Sequence, residues 1–295
     1  MPAVTKIGVL HASNFTARMQ DNFISGLQST GHWPDGSFDI DSKHHEGKYG
    51  RDADGNNIRD LETSAADFAN RGVKLIVAAG LVAVDASFQA TDVPTVGLIG
   101  RLPRSSSDPG YEAINHNTTN IKRITNMDTA SHNDERRDRL LSDFAVGANE
   151  IALMVNGNSK MGDAEADEWV ASGAIAVKYP DLAGSTANDH LRFQAFFRAV
   201  PAGIKALIVS SDPFFFRFRS RLIAAANAVR PGTAADPKFI FCFPFAEWQF
   251  TDNGDPLPEW DPGCYRAFAG TGLDLLPAYR QLGICALDTL ALLFP

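Results

Sequence analysis

Asp212 stands immediately before Pro213 and the run Phe214, Phe215, Phe216. A carboxylate beside an aromatic wall suits an ammonium group, because small-molecule sites combine apolar lining with a few convergent polar groups. The same Asp-Pro step is also the usual helix cap followed by a first-turn proline, so both uses are open. Consecutive helical residues point about 100° apart, which predicts that the three phenylalanines do not all face inward and that at least one points into a cleft or the interface between lobes. Gly80, Leu81 and Val82 follow the apolar run Leu75–Ala79 and open a small-residue segment. Backbone N–H groups at such a start, aided by the helix dipole, suit a carboxylate or another anion; the plainer use is a glycine in a tight turn. Ser13, Asn14 and Phe15 take the equivalent place after the first apolar run, with a hydroxyl and an amide to orient a polar group and a ring to stack on it. Phe15 also reads as the first residue of a helical stripe. Glu247 and Trp248 either extend an aromatic wall or are ordinary loop residues.

The same inventory argues against catalysis and resident cofactors. His44, His45 and Glu46 are adjacent, and neighbours on an extended chain point to opposite faces, so they do not share an ion readily. Cys242, Cys264 and Cys285 form no CxxC pair, and an odd number cannot all pair within one chain. They read as reduced or buried thiols. A racemase of similar layout would need a cysteine soon after a strand in each half, whereas all three lie near the end. No Gly-x-Ser-x-Gly elbow, P-loop or Gly-x-Gly-x-x-Gly occurs. The expectation is a non-enzyme with no cofactor and no metal.

The elements that would position these residues alternate regularly. Apolar runs at 6–10, 75–79, 95–99, 151–155, 174–178, 207–210 and 239–243 read as buried strands, with 38–41 alternating as another. Between them lie helical stripes: Phe15, Met19, Phe23 and Leu27; then Ile58, Leu61, Ala65 and Phe68; then Leu140 and Phe144. Helices are further expected over 82–90, 133–144, 163–172, 187–200, 214–229 and 275–290, while 46–57 and 100–119 read as loops. Strands alternating with helices predict βαβ units and parallel sheets. Such sheets bind ligands outside the carboxyl ends of their strands, where Asn14, Gly80 and Asp212 fall.

The chain has 295 residues, long for one α/β core and comfortable for two. The expected division is an N-terminal lobe over 1–122, a second lobe over 123–274 and a final helix, 275–295, packing back on the first, with 121–127 crossing between them. The net charge of -8 carries no basic block, which leaves nucleic-acid binding without electrostatic support. The apolar segment 282–293 is shorter than the roughly 20 residues a membrane span needs and contains Asp288. Met1 to Lys6 carries no leader pattern, which predicts a cytoplasmic chain as written, or a periplasmic one if an upstream leader belongs to it.

Several stretches, in order, resemble the type I periplasmic-binding-protein fold, and within it the ABC-transporter substrate-binding family with tryptophan- and tyrosine-type members. They are Ile7-Gly8-Val9-Leu10, Glu46-Gly47-Lys48-Tyr49, Val77-Ala78-Ala79-Gly80, Met154-Val155-Asn156-Gly157-Asn158, Asp212 to Phe216, and Ala278 to Gly283. The resemblance departs at Asn156-Gly157-Asn158, where relatives carry Asn-Pro-Asn, and in lacking a leader and a third crossing after the last helix. It implies two Rossmann-like lobes closing over a small organic ligand, an amino acid or analogue, with Asn156 and Asn158 added to the binding set. It also implies delivery to a membrane permease. A cytoplasmic sensor signalling occupancy to a partner protein is the alternative, and an enzyme on an amino-acid-like substrate a weaker one.

Overall fold

Seven residues, Thr5–His11, form β1, the strand around which the first sheet is organised. All but its first two residues are buried, because a strand with neighbours on both sides and helices on both faces has no solvent side. The computed structural model describes residues 4–12, 15–29, 38–44, 60–100, 102–103, 106, 111–115, 121–126, 133–144, 146–157, 160–179, 189–232, 238–245, 248, 251, 255–258, 265–267 and 275–293.

The chain divides into two compact units. One comprises Met1–Tyr49, Asn57–Asp128 and Leu275–Pro295, and the other chiefly Thr129–Asp274. In the first, β1 is followed by α1 (Ala17–Leu27), β2 (Phe38–His44), α2 (Asp60–Asn70), β3 (Leu75–Ala79), α3 (Leu81–Ala90), β4 (Thr95–Ile99), a short α4 (Tyr111–Asn115) and β5 (Ile121–Asn126). The parallel sheet runs β2-β1-β3-β4-β5. Two expectations are corrected here. Tyr111–Asn115 is helical within the stretch read as a loop. Ile121–Asn126, read as the strand crossing between lobes, instead pairs along β4 and closes the first sheet.

The second unit begins with α5 (Asn133–Phe144), then β6 (Ile151–Asn156), α6 (Lys160–Ala171), β7 (Ile175–Tyr179), α7 (Asp189–Ala199), β8 (Ala206–Val209), α8 (Pro213–Val229), β9 (Ile240–Phe243) and β10 (Tyr265–Ala267). Its sheet is again parallel, in the order β10-β9-β8-β6-β7. The three-residue β10 has too little hydrophobic pattern to be read in advance. One face of this sheet carries Leu153, Val155, Ile208 and Cys242 against Leu140, Ala166 and Trp169. The other is aromatic: Tyr179 stacks on Phe193, and Phe197 meets Phe239 and Phe241. Each large side chain buried this way contributes about 1.5–3 kcal/mol.

The last helix, α9 (Leu275–Leu293), is longer than read and lies against α1. Their crossing needs glycine on both sides. A Cβ on Gly26 would collide with the Arg280 carbonyl oxygen, and one on Gly283 with that of Phe23.

Candidate functional site

Both sheets share one strand order. In the first, β1 has β2 on one side and β3 on the other; in the second, β6 has β7 and β8. Each therefore has a topological switch point, between β1 and β3 and between β6 and β8, where successive connections leave in opposite directions and open a crevice at the strand ends. Nearly every described candidate residue sits at one of these two places.

In the first unit β3 ends at Ala79 and Gly80 turns the chain into α3. Its φ of 99° is open to glycine and strained for other residues. The Gly80 amide donates to the Leu98 carbonyl at 2.8 Å, and the Ala83 and Val84 amides fold back onto the Gly80 carbonyl. The amides that the sequence places at this helix start are thus narrowed, since that of Gly80 is already paired. Leu81 and Val82 are the two whose N–H groups meet no acceptor among the described residues, as the first turn of a helix leaves them.

At the neighbouring strand end the structure assembles a group that the sequence does not announce. His11, the last residue of β1, accepts or donates through Nε2 to the Tyr279 hydroxyl of α9, and their rings stack at 5.8 Å with 14° between planes. Both are buried. Phe15 leans on His11 and on Tyr279 at 5.7 Å each, and meets Phe23 edge-on at 6.4 Å. Phe15 therefore does not open the helical stripe, because α1 starts at Ala17 with Thr16 as its cap, Oγ1 accepting from the Met19 amide. Its ring belongs to the strand-end cluster. Burial pushes the Tyr279 hydroxyl far above the ordinary tyrosine range, so it stays neutral. Ser13 and Asn14 lie outside the described residues.

In the second unit Asn156 ends β6 and is buried. Its Nδ2 donates to Asp212 Oδ2 at 3.3 Å across the switch point. Asp212 Oδ1 accepts from the Phe214 amide at 2.8 Å, and the Asp212 amide donates to Ser210 Oγ at 3.3 Å. Asp212 is thus the N-cap of α8, with Pro213 in the first turn, and its second oxygen is held by Asn156. Of the two uses left open by the sequence, the cap is the one seen, on Oδ1 of this half-buried carboxylate. Asn158 and Glu247 lie outside the described residues.

Phe214, Phe215 and Phe216 are all buried, and each meets rings of the second unit: Phe214 meets Phe218 (4.9 Å) and Tyr179 (5.5 Å), Phe215 meets Tyr179 (6.2 Å), and Phe216 meets Trp248 (5.6 Å). Around α8 these rings meet Tyr179 of the sheet, Phe218 of the same helix and Trp248. Trp248 likewise packs on Phe243 at 5.2 Å.

Behind this switch point Arg136 of α5 is buried and donates through Nη1 to the Val209 carbonyl at 2.7 Å, and through Nη2 to Asn133 Oδ1. Asn133 in turn donates to Glu165 Oε1 at 2.8 Å. Desolvation lowers the Arg136 pKa, and Cys242 and Glu165 oppose that. The signal for Arg136 was available, since Asn133, Arg136 and Leu140 share helical spacing and a cation on such a stripe asks for a buried acceptor. Tyr279 carried a similar one, at spacings of three, four and seven from Leu282, Gly283 and Ala286. Among the described residues no three His, Cys, Asp or Glu side chains form a metal-holding group, and no helix is long and apolar enough to cross a membrane.

No protein-family model and no curated protein matches the sequence. Solved structures do resemble it. A conserved domain protein from Vibrio cholerae O1 biovar El Tor is 13% identical with a TM-score of 0.64, over 99% of this chain and 85% of that one. The ABC domain in complex with L-Trp from Streptococcus pneumonia is 12% identical with a TM-score of 0.59, over 99% and 85%. An ABC transporter solute binding protein from Agrobacterium vitis with bound D-fucose is 14% identical with a TM-score of 0.56, over 98% and 89%. At these identities the likeness is one of fold: α/β, with parallel sheets flanked by helices, similar to type I periplasmic-binding proteins.

Proposed function

We propose that this chain is a solute-binding protein for a small organic molecule, and that the solute is an amino acid or analogue. The observation that carries the reading is the polar group at the second switch point. There Asn156 and Asp212, from adjacent strand ends, share a hydrogen bond in a half-buried setting. An ammonium or a set of hydroxyls on the solute would complement that carboxylate. The Leu81 and Val82 amides at the start of α3 supply the opposite polarity, fit for a carboxylate. An amino acid carries both complementary groups; a neutral sugar, such as the fucose carried by the Agrobacterium vitis protein, carries hydroxyls alone. Transfer of the bound solute to a membrane permease of an ABC-type uptake system follows as the proposed setting, with the periplasm as the matching compartment.

Thermal-shift screening against single amino acids, small carboxylates and monosaccharides tests the reading. A solute at a hundredfold excess over its dissociation constant adds about 2.7 kcal/mol of stability and raises Tm accordingly. Asp212→Asn keeps the cap to Phe214 and removes the charge, so it should leave the unliganded Tm within a degree or two and abolish the shift by an amino acid. A shift by sugars alone would remove the amino-acid assignment. The absence of any shift would remove the solute-binding reading.

A further inference from the structure

The hydroxyl of Tyr279 has one partner among the described residues, Nε2 of His11. It is buried, with Phe15 and the imidazole against its ring, where a hydroxyl hydrogen without an acceptor is costly. If Nε2 carried the ring proton, it would donate to the tyrosine oxygen and leave the hydroxyl hydrogen without an acceptor among the described residues. If Nε2 is bare, the hydroxyl donates and both groups are satisfied. Burial that disfavours the phenolate keeps that hydrogen in place. The pair fixes more than itself. Phe15 touches both rings, while the Ala12 amide is tied to the Ala79 carbonyl at 3.1 Å, so the end of β1 is held from its neighbouring strand and from α9 together. Tyr279 stands in the second turn of α9, just after the chain re-enters the first unit at Leu275.

We propose that Tyr279 is a positioning residue for solute binding: by donating to Nε2 it holds His11 as the neutral Nδ1–H tautomer, with its ring and that of Phe15 fixed at the end of β1. The first unit then offers a preformed imidazole–phenyl face at its switch point, and solute affinity depends on a hydroxyl that does not touch the solute. The role rests on the solute-binding reading, while the tautomer does not.

Full-length chain labelled with nitrogen-15, free of added solute, gives the first readout. Long-range proton–nitrogen spectra should show His11 Nε2 as the unprotonated and Nδ1 as the protonated nitrogen, and Tyr279→Phe should abolish that preference while keeping the ring stack. The second readout is titration with whichever amino acid gives the largest thermal shift. Tyr279→Phe and His11→Leu should each weaken it by about five- to tenfold, the worth of one buried hydrogen bond. His11→Gln, whose amide oxygen can accept from the tyrosine, should stay within about twofold of the parent. An Nε2–H tautomer in the parent chain overturns the proposal, as does unchanged affinity in Tyr279→Phe, or equal losses in His11→Gln and His11→Leu. If no amino acid binds the parent chain, the solute reading fails and the positioning role with it, and the spectrum then judges the tautomer separately.

Discussion

Arg136 carries its guanidinium into the interior of the second unit to reach a strand-end carbonyl and an asparagine oxygen. One consequence is asymmetric: Arg136→Met fills most of the volume but leaves the Val209 carbonyl and Asn133 Oδ1 without their donor. The expected loss is about 2–4 kcal/mol, two buried acceptors each costing 1–3 kcal/mol less the desolvation recovered from the cation. Urea denaturation monitored by circular dichroism measures it, and an unchanged midpoint would show that the guanidinium contributes nothing net. Cys242, on the strand beside it, gives a prediction in pH. Desolvation raises its thiol from 9.0 to about 11, so below pH 9 folded and unfolded chains both hold the proton, and between there and about 11 only the folded one does. Stability falls as pH rises through that window, by up to about 1.4 kcal/mol per unit from this group. The fall should be shallower in Cys242→Ala when unfolding midpoints are compared between pH 8 and 10.5. Asp212 was legible as a residue because its type and its proline are local signals. The partners of His11 and Arg136 were not, because they come from elements 268 and 73 residues away, and one sequence does not reveal which stripes meet.

Helices and strands with buried faces follow closely from periodicity. Asn133–Phe144, Leu75–Ala79 and Thr95–Ile99 have the bounds their apolar spacing predicts, since burial of one face is what terminates or continues them. The elements that escaped are those held by neighbours. Tyr111–Asn115 is a single short turn of helix, and Tyr265–Ala267 exists by pairing with Ile240–Phe243. Packing of α1 on α9 shows the same limit in another form, because two glycines are visible in a sequence while their meeting is not. Gly283→Ala should be severe despite alanine's better helix propensity, worth about 1 kcal/mol. Its Cβ would strike backbone of α1, at Phe23 and Leu27, where no side-chain rotamer relieves the clash. A net loss of about 2–4 kcal/mol is expected from overpacking against a rigid helix, read as a lower Tm. A Tm equal to or above that of the parent would mean that the helices separate at little cost.

At the scale of the whole molecule, the chain order does not follow the packing order. The first unit is finished only when α9 arrives, after the whole of the second has been made. Residues of α9 buried there include Tyr279, Leu282, Leu287 and Leu290. At about 1.5–3 kcal/mol for each large side chain, they account for roughly 6–12 kcal/mol, comparable to the entire stability of an ordinary domain. A chain ending at Asp274 should therefore lose one unit and keep the other. Hydrogen exchange followed by mass spectrometry separates the two, because amides in Thr5–His11, Ala17–Leu27 and Leu75–Ala79 would exchange within seconds, while those in Ile151–Asn156 and Ala206–Val209 would retain the protection of the full chain. Loss of protection in both sheets would mean that the units unfold as one, and loss in neither would mean that α9 is dispensable to the sheet it covers. The selective outcome would also make the first switch point conditional on α9, since Tyr279 and His11 can meet only after the last helix has docked.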